Sequence, residues 1–332
     1  MTLSLPADFD TELARLYAGG EFHRVLRRFE MGGPPEETSP RARVLVATAA
    51  ARVGDFDRGE RLAQSALDAY AAQGDDAGEL RACNVLGGIA FERGNLDAAE
   101  GYFRRVAQRG EALGDQEACA RGLNNLASIR NMRDQAGDAI SWWYRALEVY
   151  LSAGDPLGAA RVHHNLALAL RERGYLDAAE THAHEAILLA SRSDDPPLEA
   201  MTRMGRVELS LARGRPQSAR FDLVAAEQAA RRAGDQSGLV EVCRLRALIA
   251  LAEDAPEEAL MLATQAHDMA TDLGVTLLAA ECRALLAITL HRLGRTEEAE
   301  AAHRTALDCF ERQRAPADRR RVERAWEMAV SR

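Results

Sequence analysis

The sequence predicts an all-α fold, a stack of antiparallel helix pairs, and three observations carry that prediction. Gly74-Asp75, Gly114-Asp115, Gly154-Asp155 and Gly234-Asp235 recur at a step of 40 residues; Gly274 continues the series and Ser193-Asp194 fills its vacancy. A second lattice of the same step holds Gly54, Gly94, Gly174, Gly214 and Gly294, with Asp134 and Asp254 in its gaps. Between these marks the chain is alanine-rich and helically periodic, as in 80–91 and 140–151. Two interleaved turn lattices in one period mean two helices per repeat.

The turn chemistry follows from backbone sterics. Glycine after a helix takes the left-handed conformation without a Cβ penalty, and Asp tolerates it. The Asp after it caps the next helix by accepting orphan N–H groups. Ser39-Pro40, Asp155-Pro156 and Asp195-Pro196-Pro197 strengthen that reading, because proline suits the first helical position. Small residues then mark where helices cross. Five positions past each short turn stand Ala99, Ala139, Ala179, Ala219, Ala259 and Ala299, with Gly59 in the first full repeat. Twelve past it stand Ala66, Ala146, Ala186, Ala226, Ala266 and Ala306, with Val106 the exception.

In chain order the expectation is a short N-terminal repeat over 8–30, seven 40-residue repeats over 40–313, and a capping helix over 317–331. The whole of 1–332 is read as one solenoid. Gly20 lies 34 residues before Gly54, and the loop from Met31 to Thr38 separates the short unit from the rest. Trp326 takes the apolar slot of the last helix, with charges on its other side, as a terminal cap requires.

Composition narrows the function. The net charge is −9, against a general nucleic-acid binder. No apolar run reaches the ~20 residues of a membrane helix, and no secretory leader is visible at the start. Five cysteines, Cys83, Cys119, Cys243, Cys282 and Cys309, are scattered and unpaired in sequence, which fits reduced thiols in a cytoplasm. The chain has no lysine, so Schiff-base and phosphate-loop lysine chemistry is absent; all-arginine usage also accords with a GC-rich bacterial source. No GxSxG, HExxH, CxxC or glycine-rich strand-to-helix turn is present. No catalytic residue, metal ligand or cofactor is therefore assigned.

The stretch Leu86-Gly87-x2-Ala90 with Ala99-x3-Phe103 resembles the tetratricopeptide-repeat signature. Gly74-Asp75, followed by Gly78-Glu79-x-Arg81-Ala82-x3-Leu86-Gly87, is similar to the 40-residue repeats of Pins-like spindle adaptors. It is also similar to those of bacterial peptide-responsive regulators and of sensor modules in some transcription activators. The resemblance covers nearly the whole chain. It implies a right-handed superhelical solenoid of about eight repeats plus a capping helix, with a peptide or protein segment bound in its concave groove.

In such superhelices the first helix of each pair faces the groove. That register gives a ladder of Arg81, Arg121 and Arg161 with Asn84, Asn124, Asn125, His164 and Asn165, enlarged by Ser128, Asn131 and Arg171. Guanidinium forks match carboxylates, and Asn donates to and accepts from an extended backbone. The competing reading is structural: each Arg pairs with a carboxylate of its own loop, and each Asn bridges neighbouring helices. Further along, the same register gives Met204, Leu248 and Leu251, interrupted by Glu208, Glu241 and Glu281 with Arg244. These apolar residues either anchor a ligand or are buried between repeats.

Other constellations are read as structural. His163, His164, His182 and His184 lack a metal-ligand pattern. Trp142-Trp143-Tyr144 reads as core packing, and the arginine run Arg312, Arg314, Arg319, Arg320 and Arg321 as a solvated face of the cap. The chain is expected to be a cytoplasmic, non-enzymatic interaction module for an acidic segment with an apolar anchor. The alternative is a sensor that changes conformation on binding a peptide signal and controls a separate effector. Neither nucleic acid nor membrane is an expected partner, and self-association through terminal units stays open.

Overall fold

The computed structural model describes residues 9–32, 38–93, 95–133, 135–193, 195–313 and 315–331. Gly94, Asp134, Asp194, Arg314 and most of the loop at 31–38 lie outside the described residues. Among those described, the chain forms seventeen α-helices and no strand. α1 (Phe9–Ala18) and α2 (Phe22–Glu30) make a short first pair. Seven longer pairs follow: α3 (Pro40–Arg52) with α4 (Phe56–Gln73), α5 (Asp76–Glu92) with α6 (Leu96–Leu113), α7 (Gln116–Met132) with α8 (Ala136–Ala153), and α9 (Pro156–Glu172) with α10 (Leu176–Ser191). Then come α11 (Pro196–Ala212) with α12 (Pro216–Ala233), α13 (Gln236–Ala252) with α14 (Pro256–Asp272), and α15 (Thr276–Arg292) with α16 (Thr296–Arg312). A single helix, α17 (Pro316–Val330), closes the series.

The helix ends carry the chemistry read from the sequence. Asp55, Asp75, Asn95, Asp115, Asp155, Asp195 and Asp235 each accept the backbone N–H three residues on, at 2.8–3.3 Å. Pro40, Pro156 and Pro196 sit in the first turn of α3, α9 and α11. At the turns the described glycines of both lattices have positive φ. Asp254, expected as a glycine substitute, has φ 62°, and no other non-glycine residue among those described has positive φ.

Two compact units divide between Ile129 and Arg130. In the first, residues of α1 to α6 with Ala118 of α7 share one core that includes Phe9, Leu13, Val25, Val46, Leu62 and Leu86. In the second, the first helices of successive pairs pack on each other, α9 on α11, α11 on α13, α13 on α15 and α15 on α17. α10, α12, α14 and α16 each pack on their own partner and on the first helix that follows, so the unit has a first-helix layer and a second-helix layer.

The crossings are where the small residues were expected. Ala66, Ala99, Ala139, Ala146, Ala179, Ala186, Ala219, Ala226, Ala259, Ala266, Ala299 and Ala306 are all fully buried. Glycine allows closer approach still. A Cβ on Gly122 would lie 2.5 Å from the Ala107 backbone nitrogen. Tyr70 occupies the space a Cβ would need on Gly78, and Tyr150 does the same to Gly158 two repeats later.

Two substitutions separate the two uses of glycine. Gly74→Ala meets no atom within 4 Å but must hold φ near 68°, so it should cost ~1 kcal/mol through the backbone alone. Gly78→Ala has a helical backbone but meets the Tyr70 ring, so overpacking should cost about 1–3 kcal/mol. Tyr70→Ala should relieve that clash in the double variant and leave Gly74→Ala unrescued, read by urea denaturation.

Candidate functional site

In the first unit the candidate strip lies on α5 and α7. Asparagine is a poor residue for a helix interior, and three on one face need partners. Asn125 donates through Nδ2 to Asn84 Oδ1 at 2.9 Å, linking α7 to α5. Asn124 donates to Asn125 Oδ1 at 3.1 Å, and Ser128 Oγ donates to the Asn124 carbonyl at 3.2 Å. All four are half-buried, so the amide chain is reachable from the surface. Arg81 is exposed, 3.8 Å from Asp75 and with its guanidinium 5.8 Å from the Tyr70 ring centre. Arg121 pairs with Glu117, one turn earlier on its own helix. Exposed pairs of this kind contribute ~0–1 kcal/mol each, so a ligand carboxylate can displace them at small cost.

In the second unit Asn131 and Asn165 are half-buried on first helices, and Arg161 is exposed, 3.4 Å from Asp195. His164 differs from the rest: it is 8% exposed, and its ring occupies the space a Cβ on Gly205 would take. Burial pushes its pKa down to about 4, with Glu208 opposing and Arg171 adding to the shift. Met204, Leu248 and Leu251 are half-buried, packed against the cores between repeats. Leu245 and Leu285, on the same register, are fully in the core.

The charged residues that interrupt this apolar register form a line of their own. Arg171 pairs with Glu208, Glu208 with Arg244 at 2.9 Å, Arg244 with Glu281 at 3.6 Å, and Glu281 with Arg321 of α17 at 2.7 Å. Glu241 joins Arg244 at 2.5 Å and Asp318 joins Arg321 at 2.8 Å. Arg244 is 9% exposed, so this is an ion network largely removed from water. Burial drives the Glu208 and Glu281 carboxyls up, and the flanking guanidiniums overcome it, holding both below the usual range. Glu241 comes out raised, because burial outweighs its single partner Arg244 and the other two glutamates add to it. Arg244, read from the sequence as an isolated cation, is the hub of three carboxylates.

Opposite charges at a spacing just under the repeat were the overlooked signal. The partners of the first three links lie 36 or 37 residues apart, about one helical turn short of the repeat, whereas Glu281 and Arg321 are a full 40 apart. The histidines also regroup. His163 Nδ1 is 2.9 Å from His182 Nδ1, and Tyr144 Oη is 3.1 Å from His182 Nε2. Trp143 is buried, whereas Trp142 is half-buried with the Arg130 and Arg145 guanidiniums 5.6 and 5.9 Å from its ring centre.

Two measurements test these assignments. His164 is held neutral in the folded state, so its contribution is complete above pH ~6.5 and is lost as pH falls towards 4. At ~1.4 kcal/mol per pKa unit, the loss amounts to roughly 3 kcal/mol. His164→Gln should flatten that part of the stability curve, measured by urea melts from pH 7 to pH 4.5. Arg244→Met leaves three half-buried carboxylates without their hub and should cost about 3 kcal/mol at pH 7.

The sequence profile of the tetratricopeptide repeat matches residues 80–116, 160–192 and 279–312. No curated protein matches the chain by sequence. Solved structures share the fold at low identity. The Rap conjugation gene regulator of the plasmid pLS20, in complex with the Phr* peptide, superposes with a TM-score of 0.70 at 12% identity, covering 83% of this chain and 74% of that one. A Rap protein complexed with Competence and Sporulation Factor gives 0.59 at 13% identity, covering 98% and 97%. Aspartyl phosphate phosphatase F from Bacillus subtilis gives 0.64 at 13% identity, covering 81% and 70%. Three segments of the chain thus match the tetratricopeptide repeat, and its helix pairs share the fold of the Rap regulators.

Proposed function

We propose that this chain is a peptide- or protein-binding module whose recognition surface is the first-helix face. The amide chain Asn124–Asn125–Asn84 is the observation that carries the reading. Each amide presents both a donor and an acceptor, and an extended peptide backbone offers the complementary pair at each residue. Arg81 and Arg121 flank that chain on the same helices, held only by partly exposed partners. They suit an acidic ligand, because guanidinium–carboxylate pairs are charge-assisted and bidentate. In the second unit Arg161, Asn165 and Asn131 offer similar chemistry, with Met204, Leu248 and Leu251 as apolar contacts, while Arg171, expected on the same strip, is engaged by Glu208.

The Rap structures bound to Phr* and to Competence and Sporulation Factor support this reading, since the same helix-pair fold takes a peptide there. They favour the sensor form of it, in which a peptide signal alters control of a separate effector. One similar structure bears a phosphatase name. We read this chain as non-enzymatic: burial pushes the Cys83, Cys243 and Cys282 thiols up, Cys282 to about 12, so none is a ready nucleophile. The five cysteines are free thiols, which supports placement in a cytoplasm, and among the described residues no helix is long and apolar enough to cross a membrane. Nucleic acid does not enter this reading, because the net charge is −9.

Selection of a random twelve-residue peptide library against the full chain tests the proposal. Enriched peptides should carry Asp or Glu, and their affinity should fall at least tenfold in Asn84→Ala/Asn125→Ala and in Arg81→Ala/Arg121→Ala. Circular dichroism must show the helicity of both variants unchanged. Peptides that bind all three proteins equally would place recognition elsewhere.

A further inference from the structure

The second-helix layer of the second unit carries a surface that the first-helix reading does not use. Phe221 and Val224 on α12 are 74% and 56% exposed, and Met261 on α14 is 63% exposed. Phe221 and Met261 stand one repeat apart at the same position, and Val224 lies one turn past Phe221 on the same face. Arg220 Nε of α12 meets Glu253 Oε1 at 2.8 Å in the turn between α13 and α14. The second helices are packing elements, with fully buried alanines on the opposite face, so the fold has no use for an outward Phe and Met. Large exposed apolar side chains in register mark a contact surface.

The charges around the patch identify its occupant. α14 carries four carboxylates, Glu257, Glu258, Asp268 and Asp272, and no arginine. All four are exposed, and none pairs with a cation among the described residues. At 3.6 residues per turn, Glu257, Met261, Asp268 and Asp272 fall on one stripe, so acids bracket the apolar centre. The cations of α12 are already engaged: Arg220 with Glu253, Arg231 with Glu227 and Arg232 with Glu199. An approaching partner therefore meets an apolar centre with uncompensated negative charge at both ends.

We propose that the outward face of α12 and α14 docks an amphipathic helix of another protein, apolar along its middle and basic at both ends. Phe221, Val224 and Met261 supply the buried contact. The α14 carboxylates steer approach and fix register, so affinity should fall as salt rises. This surface is distinct from the Asn84–Asn125 strip, and either reading can fail without the other.

The probe is a fluorescein-labelled, eighteen-residue helix of leucine and lysine, with a leucine–glutamate helix of equal length as its control. Anisotropy titration should show the basic helix binding the full chain and the acidic helix not binding. Phe221→Ser/Met261→Ser should weaken binding at least tenfold, as should Glu257→Gln/Glu258→Gln/Asp268→Asn/Asp272→Asn. Asn84→Ala/Asn125→Ala should leave it unchanged. All these changes except the last are at exposed positions, so folding should be retained and is checked by melting. Equal affinity in wild type and both surface variants overturns the proposal. So does a wild-type dimer in light scattering that Phe221→Ser/Met261→Ser converts to monomer, because the face would then belong to a second copy of the chain.

Discussion

The contact distance between paired helices is the constraint on which the rest of the molecule depends. Two helices approach to backbone contact only where the side chains at the crossing are no larger than a methyl group. Ala99, Ala139, Ala179, Ala219, Ala259 and Ala299 meet that condition at one position of each repeat, and Gly122 exceeds it by packing onto the Ala107 backbone. With the crossings pinned, the faces of each helix are assigned. One side is buried, and whatever the sequence places on the other is presented in register every 40 residues. Asn84 and Asn125 meet across α5 and α7 because 41 residues separate them, one repeat plus one position.

Much of the fold was legible because its determinants are local. A glycine in the left-handed turn, an Asp three residues before the N–H it caps and an alanine at a fixed offset are all decided within one helix pair. Asp254 shows how far that extends, since its substitution for glycine could be read from the lattice gap and its backbone adopts that conformation. The ion network was not legible in the same way. Arg171, Glu208, Arg244 and Glu281 look like interruptions of an apolar register until the packing of successive first helices is known. Long side chains on neighbouring first helices meet there 36 or 37 residues apart, so charges that seem scattered in a 40-residue alignment lie beside one another. His164 was misleading for a related reason. Its offset matches that of Asn84 and Asn124, yet Gly205 on the next first helix leaves room for the ring, and the histidine packs inward.

The two units therefore present first-helix faces of different character. In the first unit the polar groups are half-buried amides and guanidiniums whose partners are exposed and weakly held. In the second, Arg244 satisfies three glutamates out of water, and Arg321 carries the line onto α17. Buried ion pairs contribute little net stability against apolar packing, but they penalise every arrangement that separates them. Such a network fixes the stacking of α9, α11, α13, α15 and α17 more than it strengthens it, and it leaves few charges there for a ligand to recruit.

The distribution of net charge gives the second-helix layer a separate character. α10 holds three carboxylates and α14 four, neither with an arginine, and α16 has five carboxylates against two arginines. The first helices α13 and α15 each carry two arginines against one glutamate. Negative charge in this unit is thus concentrated on α10, α14 and α16, whereas α12 carries three arginines against two carboxylates. Solubility alone would be served by any dispersion of those charges. Their concentration around Met261 on α14 disfavours the approach of acidic segments to that part of the second-helix layer. The two proposed surfaces would therefore prefer partners of different charge.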